Sequence, residues 1–427
     1  MARIIGIRHR VKKTAEGESR PTLVAIKTEG EMRTLELEDE QAELDFVFGK
    51  FPLAWRVAEP GEDLSVFPRH HVVERKKKSS DEKETRVPAE YDGFKTGDST
   101  VMILGGSGDR LAYALSRQGE KIGAKVFCIP GFQLALRRNE VEKKEDHVTL
   151  TRVFETKPSL FYEFGPADRD NVMVSELHRS RRDAQVDRTA CKQRLRQRLI
   201  GEVFLSEASG YPEGTIADEF DKAKANDVIL SSLVKEEKRR EAELKPAVHK
   251  LPIWQKFFAD TEGAGEVLSA GIIAPIADIR IFQTEAKLKA FCGVHVLSDG
   301  RFARKRTGST ANWNPRARQA LYLLGQQFVY RADSEWGVKL RQYKVGFRER
   351  HPVVECSTCG VPWEQCTKQT DAESEAVPGH KRHMRRYTNG HIHKMAIWRT
   401  LTRFVERLHR EWTRIDADEK RKESAAA

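Results

Sequence analysis

Apolar stretches and polar stretches follow one another over the first fifty residues of the chain. Three short stretches rich in β-branched and apolar residues are separated by polar, glycine-containing turns. This pattern predicts three strands joined as a meander. A pattern with helical period follows the third strand. The predicted strands are residues 3–7, 22–28 and 32–37, and the predicted helix is residues 40–48.

A second group of elements begins at residue 100. An apolar run at 100–104 predicts a buried strand, which leads through the glycine-rich turn Gly105–Gly108 into a helix over 109–122. Another strand is predicted at 124–129. Strand, turn, helix and strand form a βαβ unit. Three strands, a helix and then a βαβ unit is an order that resembles an RNase H-like domain.

Residues 60–88 interrupt this pattern. The segment is polar and contains the basic run Arg75–Lys78. This composition predicts an exposed loop or a partly disordered insertion within a domain of residues 1–160.

Long helical patterns dominate the middle of the chain. The first covers residues 170–204 and is rich in arginine, and the second covers 215–250, where Pro246 is expected to interrupt it. A turn at 206–214 separates the two. The segment 168–250 therefore predicts an antiparallel helical hairpin that serves as an arm or as a dimerising coil.

A Gly-x-Gly turn follows the hairpin. Helical patterns at 251–258 and 266–273 flank Gly263 and Gly265. Glycine permits a tight turn, and the helix after it presents N–H groups that suit a phosphate. The arrangement is typical of a helix-hairpin-helix that binds the nucleic-acid backbone. An ordinary turn that packs two helices fits the same residues.

Charge favours a polyanionic partner. The formal net charge is +11 and 33% of the residues are charged, which favours nucleic acid before membrane. Arginine and lysine cluster after the Gly-x-Gly turn, and these side chains suit phosphate contacts. A merely solvated basic surface is the alternative. The candidate nucleic-acid-binding cations are Arg301, Arg304, Lys305, Arg306, Arg316 and Arg318.

The sequence favours a reduced, cytoplasmic, soluble protein. Six cysteines in 427 residues do not make a disulfide framework. No N-terminal run resembles a signal peptide, and no stretch approaches the ~20 apolar residues of a membrane span. We expect no membrane partner.

Three cysteines lie close together in the segment CSTCGVPWEQC, and two histidines follow. The Cys-x-x-Cys spacing is typical of a zinc knuckle, because thiolate and imidazole donors form a tetrahedral Zn²⁺ shell. We expect structural Zn²⁺, with His383 as the alternative to His380. A loop with free thiols is the other interpretation. The predicted ligands are Cys356, Cys359, Cys366 and His380.

The order of motifs from Gly263 to Leu324 resembles the C-terminal domain of insertion-sequence transposases related to the Piv pilin-gene invertase, the bridge-RNA-guided recombinases. The Gly-x-Gly turn is followed by KLKAFCGV, Ser-Asp-Gly, a basic loop ending in Gly308, and NPRARQALYLLG. The resemblance implies that Ser298 attacks DNA covalently, with Ser309 as a fallback. It also implies a structured guide RNA and a homo-oligomer.

The same resemblance implies an N-terminal RuvC-like domain whose acidic residues bind two metal ions. Here Arg8 and Gly105 stand at two of the acidic positions, and Asp146 is the one acid that matches. Since an arginine repels a divalent cation, the sequence argues against Mg²⁺-dependent chemistry at this site. Asp109 and Glu145 are candidate substitutes.

These observations predict an α/β plus α protein. It has an RNase H-like (RuvC-like) domain, a helical hairpin arm and a helix-hairpin-helix transposase domain with a small zinc knuckle insertion. Three functions are consistent with it: a DNA transposase or site-specific recombinase, a catalytically degraded relative that binds DNA or RNA, and a metal-stapled scaffold for a protein partner. The predicted domains are 1–160, 168–250, 251–350, the Cys/His insertion 351–385, and the closing helix and tail 386–427.

Overall fold

A computed structural model describes residues 3–10, 21–76, 83–104, 108–138, 142–206, 214–297, 301–304, 308, 311–367 and 383–426. They form two compact units, Met1–Val172 and Met173–Ala427. No helix among these residues combines the length and the apolar character that a membrane span requires.

The first unit is built on a six-stranded sheet in the order β3-β2-β1-β7-β8-β9. Strand β1 pairs antiparallel with β2 and parallel with β7, and β7 pairs parallel with β8. The strands are β1 Ile4–Arg8, β2 Thr22–Thr28, β3 Glu31–Leu37, β4 Phe51–Val57, β5 Val73–Lys76, β6 Lys83–Asp92, β7 Ser99–Met102, β8 Lys125–Cys128 and β9 Tyr162–Glu163. The helices are α1 Glu40–Val47, α2 Gly108–Ile122, α3 Gly131–Ala135 and α4 Asp146–Thr156.

Helices cover both faces of this sheet, so its central strands are apolar on both sides. Ile5 and Ile7 of β1 pack in one core with α1 and α2. Gly6 faces the other side, where α4 lies directly on the strand. Val101 of β7 and Leu150 of α4 belong to this second core. The predicted meander and βαβ unit are confirmed as elements, with boundaries that differ by a few residues at most.

The prediction of an exposed loop or partly disordered insertion at residues 60–88 is wrong for residues 73–76 and 83–88, which are strands. Strands β4, β6 and β5 form a three-stranded antiparallel sheet in that order. Strands β5 and β6 escaped the sequence pattern because they are polar and carry exposed charge pairs. One of these joins Lys83 and Glu74 across the strands, with 3.0 Å between Nζ and Oε2. Residues 77–82 lie outside the described part of the chain.

The second unit is helical. A π-helical turn, Trp254–Phe258, separates α7 from α8. The elements are α5 Pro166–Leu205 (which begins in the first unit), α6 Ile216–Asn226, α7 Val228–Lys250, α8 Glu266–Ile276, α9 Glu285–Phe291, α10 Pro315–Tyr330, α11 Glu335–Arg350, the short strands β10 Glu355–Cys356 and β11 Arg385–Arg386, and α12 Asn389–Ala426. The α/β first unit and the helical second unit confirm the α/β plus α class.

The helix predicted over 215–250 is interrupted at a different place. Pro246 lies inside α7 and does not end it. The break falls at Asp227, whose carboxylate accepts the backbone N–H of Leu230 at 2.6 Å and so caps α7.

Helix α12 closes the core of the second unit. Leu401, Phe404 and Leu408 are fully buried against residues of α8 and α10. The helix runs from Asn389 to Ala426, through most of the segment predicted as a closing helix and tail. It brings its aromatic residues next to the basic loop described below.

Candidate nucleic-acid interface and metal centre

A short hairpin carries the basic loop of the second unit. Val296 and Phe302 form an antiparallel bridge. The backbone N–H of Leu297 donates to the carbonyl oxygen of Arg301 at 2.8 Å. Some predicted site residues of this segment lie outside the described part of the chain: Ser298, Lys305, Arg306 and the fallback Ser309.

Arg318 holds this loop in place. Its guanidinium is sandwiched between Trp313 and Trp398, at 4.4 and 4.5 Å from the ring centroids. Its two terminal nitrogens donate to the carbonyl oxygens of Gly293 and Ala303, at 2.8 and 2.7 Å. Burial lowers the pKa of this guanidinium, which nevertheless stays charged, as arginine does in proteins. Arg318, predicted from sequence to contact phosphate, here joins three segments of its own chain.

Gly293 makes room for this stack. It has a φ of 67°, in the left-handed region that favours glycine. A Cβ atom on this residue would lie 2.7 Å from Cγ of Trp313 and 3.0 Å from Nη1 of Arg318. The glycine of the motif KLKAFCGV is therefore required by the close packing of the clamp.

Substitution of Arg318 by lysine is expected to destabilise the second unit by about 2–4 kcal/mol. An ammonium group cannot stack between two rings and also donate to both carbonyls. Urea unfolding of the two proteins measures the difference. The matched control is Arg316→Lys on the same helix, where the side chain is exposed and a change within about 0.5 kcal/mol is expected. Equal stability of the two variants would contradict the clamp.

Other arginines of the predicted set lie at the surface. The side chains of Arg301, Arg304 and Arg316 are exposed. Arg318 donates to the carbonyl oxygen of Ala303, which is buried. This contact fixes the backbone next to Arg304. The exposed side chains of Arg301, Arg304 and Arg316 are here together called the arginine surface.

A ladder of stacked rings lies beside it. His351 and Tyr387 stack with 3.6 Å between ring centroids and 8° between planes, and Tyr387 and His391 with 5.7 Å and 9°. The guanidinium of Arg386 lies 4.5 Å from the Tyr387 ring centroid. Sequence reasoning gave no sign of this ladder, because its rings come from separate segments. The backbone N–H of Tyr387 also donates to Nδ1 of His391 at 3.1 Å.

The ladder stands in a positive field. Burial lowers the pKa of His391, and the charges of Arg304 and Arg386 lower it further, with smaller contributions from His351 and Lys394. Arg304 therefore links the arginine surface to the ladder. Cations and flat rings side by side suit a nucleic-acid strand, whose phosphates and bases need both.

The Gly-x-Gly turn makes a tight packing contact. Gly263 has a φ of 88°, and a Cβ atom there would lie 2.7 Å from Cβ of Gln327. Gly265 caps α8, and Glu266 begins it. The Glu266 carboxylate accepts hydrogen bonds from its own backbone N–H and from the imidazole of His249. Both hydrogen bonds lower the pKa of this carboxyl group. Since a carboxylate already lies at this helix start, phosphate binding by Gly263 and Gly265 stays a prediction.

Three thiols and one imidazole converge at the β10–β11 hairpin. The ligand atoms of this cluster all lie within 4.8 Å of one another. Sγ of Cys356 and of Cys366 lie 3.2 and 3.4 Å from Nδ1 of His383, and Sγ of Cys359 lies 3.6 Å from Sγ of Cys366. His383, the alternative of the sequence analysis, supplies the imidazole. His380 lies outside the described residues.

The chemistry of this Cys3His cluster fits a zinc ion. Burial alone raises the pKa of the Cys356 thiol, but the backbone N–H groups of Cys359 and Thr358 and the adjacent thiols lower it to about 6. The thiolate, which is the metal-binding form, is therefore favoured at neutral pH. Three thiolates and one imidazole are the donors of a closed, structural zinc site. By contrast, Cys128 and Cys292 are buried in cores, and Cys191 is half-buried on α5.

Asp146, the predicted catalytic acid of the first unit, is engaged in an ion pair. Its two carboxylate oxygens accept hydrogen bonds from Nε and Nη2 of Arg138, at 2.7 and 2.9 Å. Asp146 is buried, with 2% of its surface exposed. Within the described ranges, no group of three metal-binding side chains includes Asp146. Gly105 lies outside those ranges.

Comparison with protein families gives one match. Residues 255–340 match the family model described as Transposase IS116/IS110/IS902 family. Over these residues the chain is similar to the transposase domain of this family. The domain spans the Gly-x-Gly turn, the basic hairpin and Arg318, and it ends before the Cys3His cluster. A search of curated proteins finds no match to the chain. The transposase domain indicates a function in transposition or recombination, and hence DNA binding.

Proposed function

We propose that the protein binds DNA on the arginine surface of its transposase domain and exchanges DNA strands with Ser298 as the nucleophile. The family match over residues 255–340 carries this proposal. Ser298 falls within the matched residues, as do Arg301, Arg304 and Arg316, and in the sequence it lies within a few residues of two of them.

The arginine surface and the ring ladder together would track a DNA strand. Arginine contacts phosphate through two donors at once, and the half-buried rings of His351 and His391 would lie beside it, while Tyr387 is buried between its neighbours. Phosphate contacts of this kind make affinity fall with salt, because each one releases counterions. Removal of the Arg304 side chain should therefore weaken binding to all sequences and reduce the salt slope by about one.

In the proposed step the Oγ atom of Ser298 attacks a phosphodiester phosphorus. The new Oγ–P bond forms as the bond from phosphorus to one sugar oxygen breaks. The serine loses its proton, and the departing oxygen gains one and leaves as a hydroxyl. Attack of another strand's hydroxyl on the phosphoserine restores Ser298 and joins that strand. Arginines near the phosphate would stabilise the charge that develops on its oxygens.

A second candidate function is nucleic-acid binding without two-metal chemistry. The sheet order β3-β2-β1-β7-β8 supports an RNase H-like scaffold for the first unit. However, the Arg138–Asp146 ion pair and Arg8 at the end of β1 favour a scaffold that no longer holds Mg²⁺. In this form the first unit would contribute binding rather than catalysis.

The resemblance supports two further partners, a structured guide RNA and further copies of the chain. Nuclease treatment of the purified protein, followed by sequencing of any protected RNA and by mass measurement of the intact particle, tests both. Protein that is pure, monomeric and equally active after RNase treatment would exclude them.

The strand-exchange proposal predicts a covalent intermediate that depends on Ser298. Wild-type protein is purified with its bound RNA and mixed with a plasmid carrying the DNA that flanks its coding sequence. We expect a DNA–protein adduct on a denaturing gel, absent in Ser298→Ala and retained in the matched control Ser309→Ala. An adduct retained in Ser298→Ala and lost in Ser309→Ala would assign the nucleophile to Ser309.

Binding measurements in the same samples separate the two candidate functions. Tight, salt-sensitive DNA binding without an adduct supports the second candidate. If no DNA or RNA binds at low salt, both fail.

A further inference from the structure

Three side chains of the first unit meet away from every residue considered so far. Asp45 lies near the end of α1, and His70 and His71 form part of the short 3-10 helix Arg69–His71. Nε2 of His70 lies 3.0 Å from Oδ1 of Asp45, and Nε2 of His71 lies 2.9 Å from Oδ2. Both imidazoles thus direct the same ring nitrogen toward one carboxylate.

The fold holds these groups firmly. The residues after Asp45, Phe46 and Val47, are buried in the core of the first unit. His71 is 3% exposed, and it directly precedes β5 of the three-stranded sheet. The site therefore joins α1, which packs on the main sheet, to the sheet that sequence analysis missed.

The spacing of the ligand atoms suits a metal ion. The donor atoms of Asp45, His70 and His71 all lie within 4.8 Å of one another. Zinc binds imidazole nitrogen and carboxylate oxygen at about 2.0–2.2 Å, so a tetrahedral shell places its donors roughly 3.3 Å apart. The observed nitrogen–oxygen separations are 2.9 and 3.0 Å. A small expansion of the present cluster would therefore admit the ion.

Neighbouring groups orient the ligands as in known metal centres. Nδ1 of His71 lies 3.0 Å from the Tyr91 hydroxyl, and metal-binding histidines usually engage their second nitrogen in this way. The hydroxyl can donate or accept, so it fits His71 in either tautomer. The Gln41 amide nitrogen lies 3.1 Å from Oδ1 of Asp45 and supports the carboxylate. The His70 side chain is 44% exposed, which leaves the cluster open to solvent on that side.

We propose that Asp45, His70 and His71 bind a divalent transition metal of the zinc class, which fastens the three-stranded sheet to α1. Two imidazoles and one carboxylate are the donors such ions select. Mg²⁺ is disfavoured because it requires oxygen ligands. The set leaves a fourth position for water or for an exogenous ligand.

Metal counting on the full chain tests this proposal. After incubation with Zn²⁺ and removal of excess metal, wild-type protein is expected to hold one more equivalent than His70→Ala or Asp45→Asn. His70 is chosen because its side chain is largely exposed, so its removal leaves the core intact. Asp45→Asn keeps the shape of the carboxylate while it removes the charge. The matched control is His249→Ala, which removes another exposed histidine beside a carboxylate, Glu266. It should leave the metal content unchanged.

Cobalt distinguishes this centre from the Cys3His cluster. In a Cys359→Ser background, Co²⁺ bound by Asp45, His70 and His71 is expected to give ligand-field bands without thiolate charge-transfer bands. The ligand-field bands should vanish when His70→Ala is added. Zn²⁺ should also raise the Tm of chelator-treated Cys359→Ser protein but not of the double variant. Equal metal content in wild type, His70→Ala and Asp45→Asn overturns the proposal and leaves a hydrogen-bonded cluster.

Discussion

Replacement of Gly6 by alanine is expected to destabilise the first unit by about 3 kcal/mol or more. A Cβ atom on Gly6 would lie 2.0 Å from the backbone carbonyl oxygen of His147 and 2.8 Å from Cγ2 of Thr151. Neither the central strand β1 nor the backbone of α4 can yield as a flexible side chain does. Helix α4 must therefore move outward by roughly an ångström, and the contacts of Leu150 in its core loosen.

Urea unfolding followed by circular dichroism measures this loss. The matched control is Gly131→Ala, in the same unit, where the new Cβ would meet Cγ2 of Ile103 at an ordinary 3.6 Å. Gly131 begins α3, a position that suits alanine, so this variant should be neutral or slightly stabilising. Equal unfolding midpoints for the two variants would mean that α4 does not rest on β1 as described.

The strands and the helix α2 of the first unit could be predicted from the sequence because their signals are local. β1, β2 and β3 follow from their apolar, β-branched composition and from the polar turns between them, and the helix α2 between β7 and β8 follows from its period. Helix α4 on Gly6 depends on a contact over more than a hundred residues, which these local signals do not encode. The presence of glycine at the centre of β1 was the available sign, since a strand gains nothing else from it.

The second sheet shows where pattern reasoning fails. β5 and β6 are polar and carry charge on both faces, so their composition resembles that of a solvated loop. Tertiary pairing decides strand formation there, as it commonly does for β-structure. His70 and His71 seemed unremarkable within such a segment, and only the fold brings Asp45 to them.

The candidate functional side chains also differ in whether local sequence signals identify their role. Arg301, Arg304 and Arg316 were identified by charge alone and are exposed, which suits the predicted role. Arg318 has the same charge, but Trp313 and Trp398 enclose it, and Trp398 belongs to a distant helix. Charge patterns identify a basic segment, whereas the division of its arginines between surface and clamp depends on long-range packing.

Loss of the Cys3His cluster is expected to remove one equivalent of zinc and to unfold the β10–β11 hairpin. The hairpin has short strands, with the pairs Glu355–Arg386 and Cys356–Arg385. Two such pairs cannot stabilise a hairpin in water without a further constraint. Structural zinc supplies on the order of 10 kcal/mol in small zinc modules, which makes this the largest single stabilisation expected in the region.

Metal analysis and amide hydrogen exchange of Cys359→Ser measure the two effects. Zinc content should fall by one equivalent, and the N–H of Ser357, which donates to the carbonyl of Met384 at 2.8 Å, should lose its protection. The matched control is Cys191→Ser on α5, outside the cluster, which should change neither. Acidification should release the same metal, because protons compete with zinc for the thiolates and the imidazole.

The fourth ligand is decided by a pair of histidine variants. His383→Ala should lose the metal, since its Nδ1 lies within 3.8 Å of all three sulfurs. His380→Ala should keep it; the reverse result would restore the ligand set first expected from sequence. Because Tyr387 and Arg386 follow His383 closely, loss of the metal should also disturb the ring ladder and weaken DNA binding. Unchanged DNA affinity in metal-free His383→Ala protein would separate the cluster from the proposed interface.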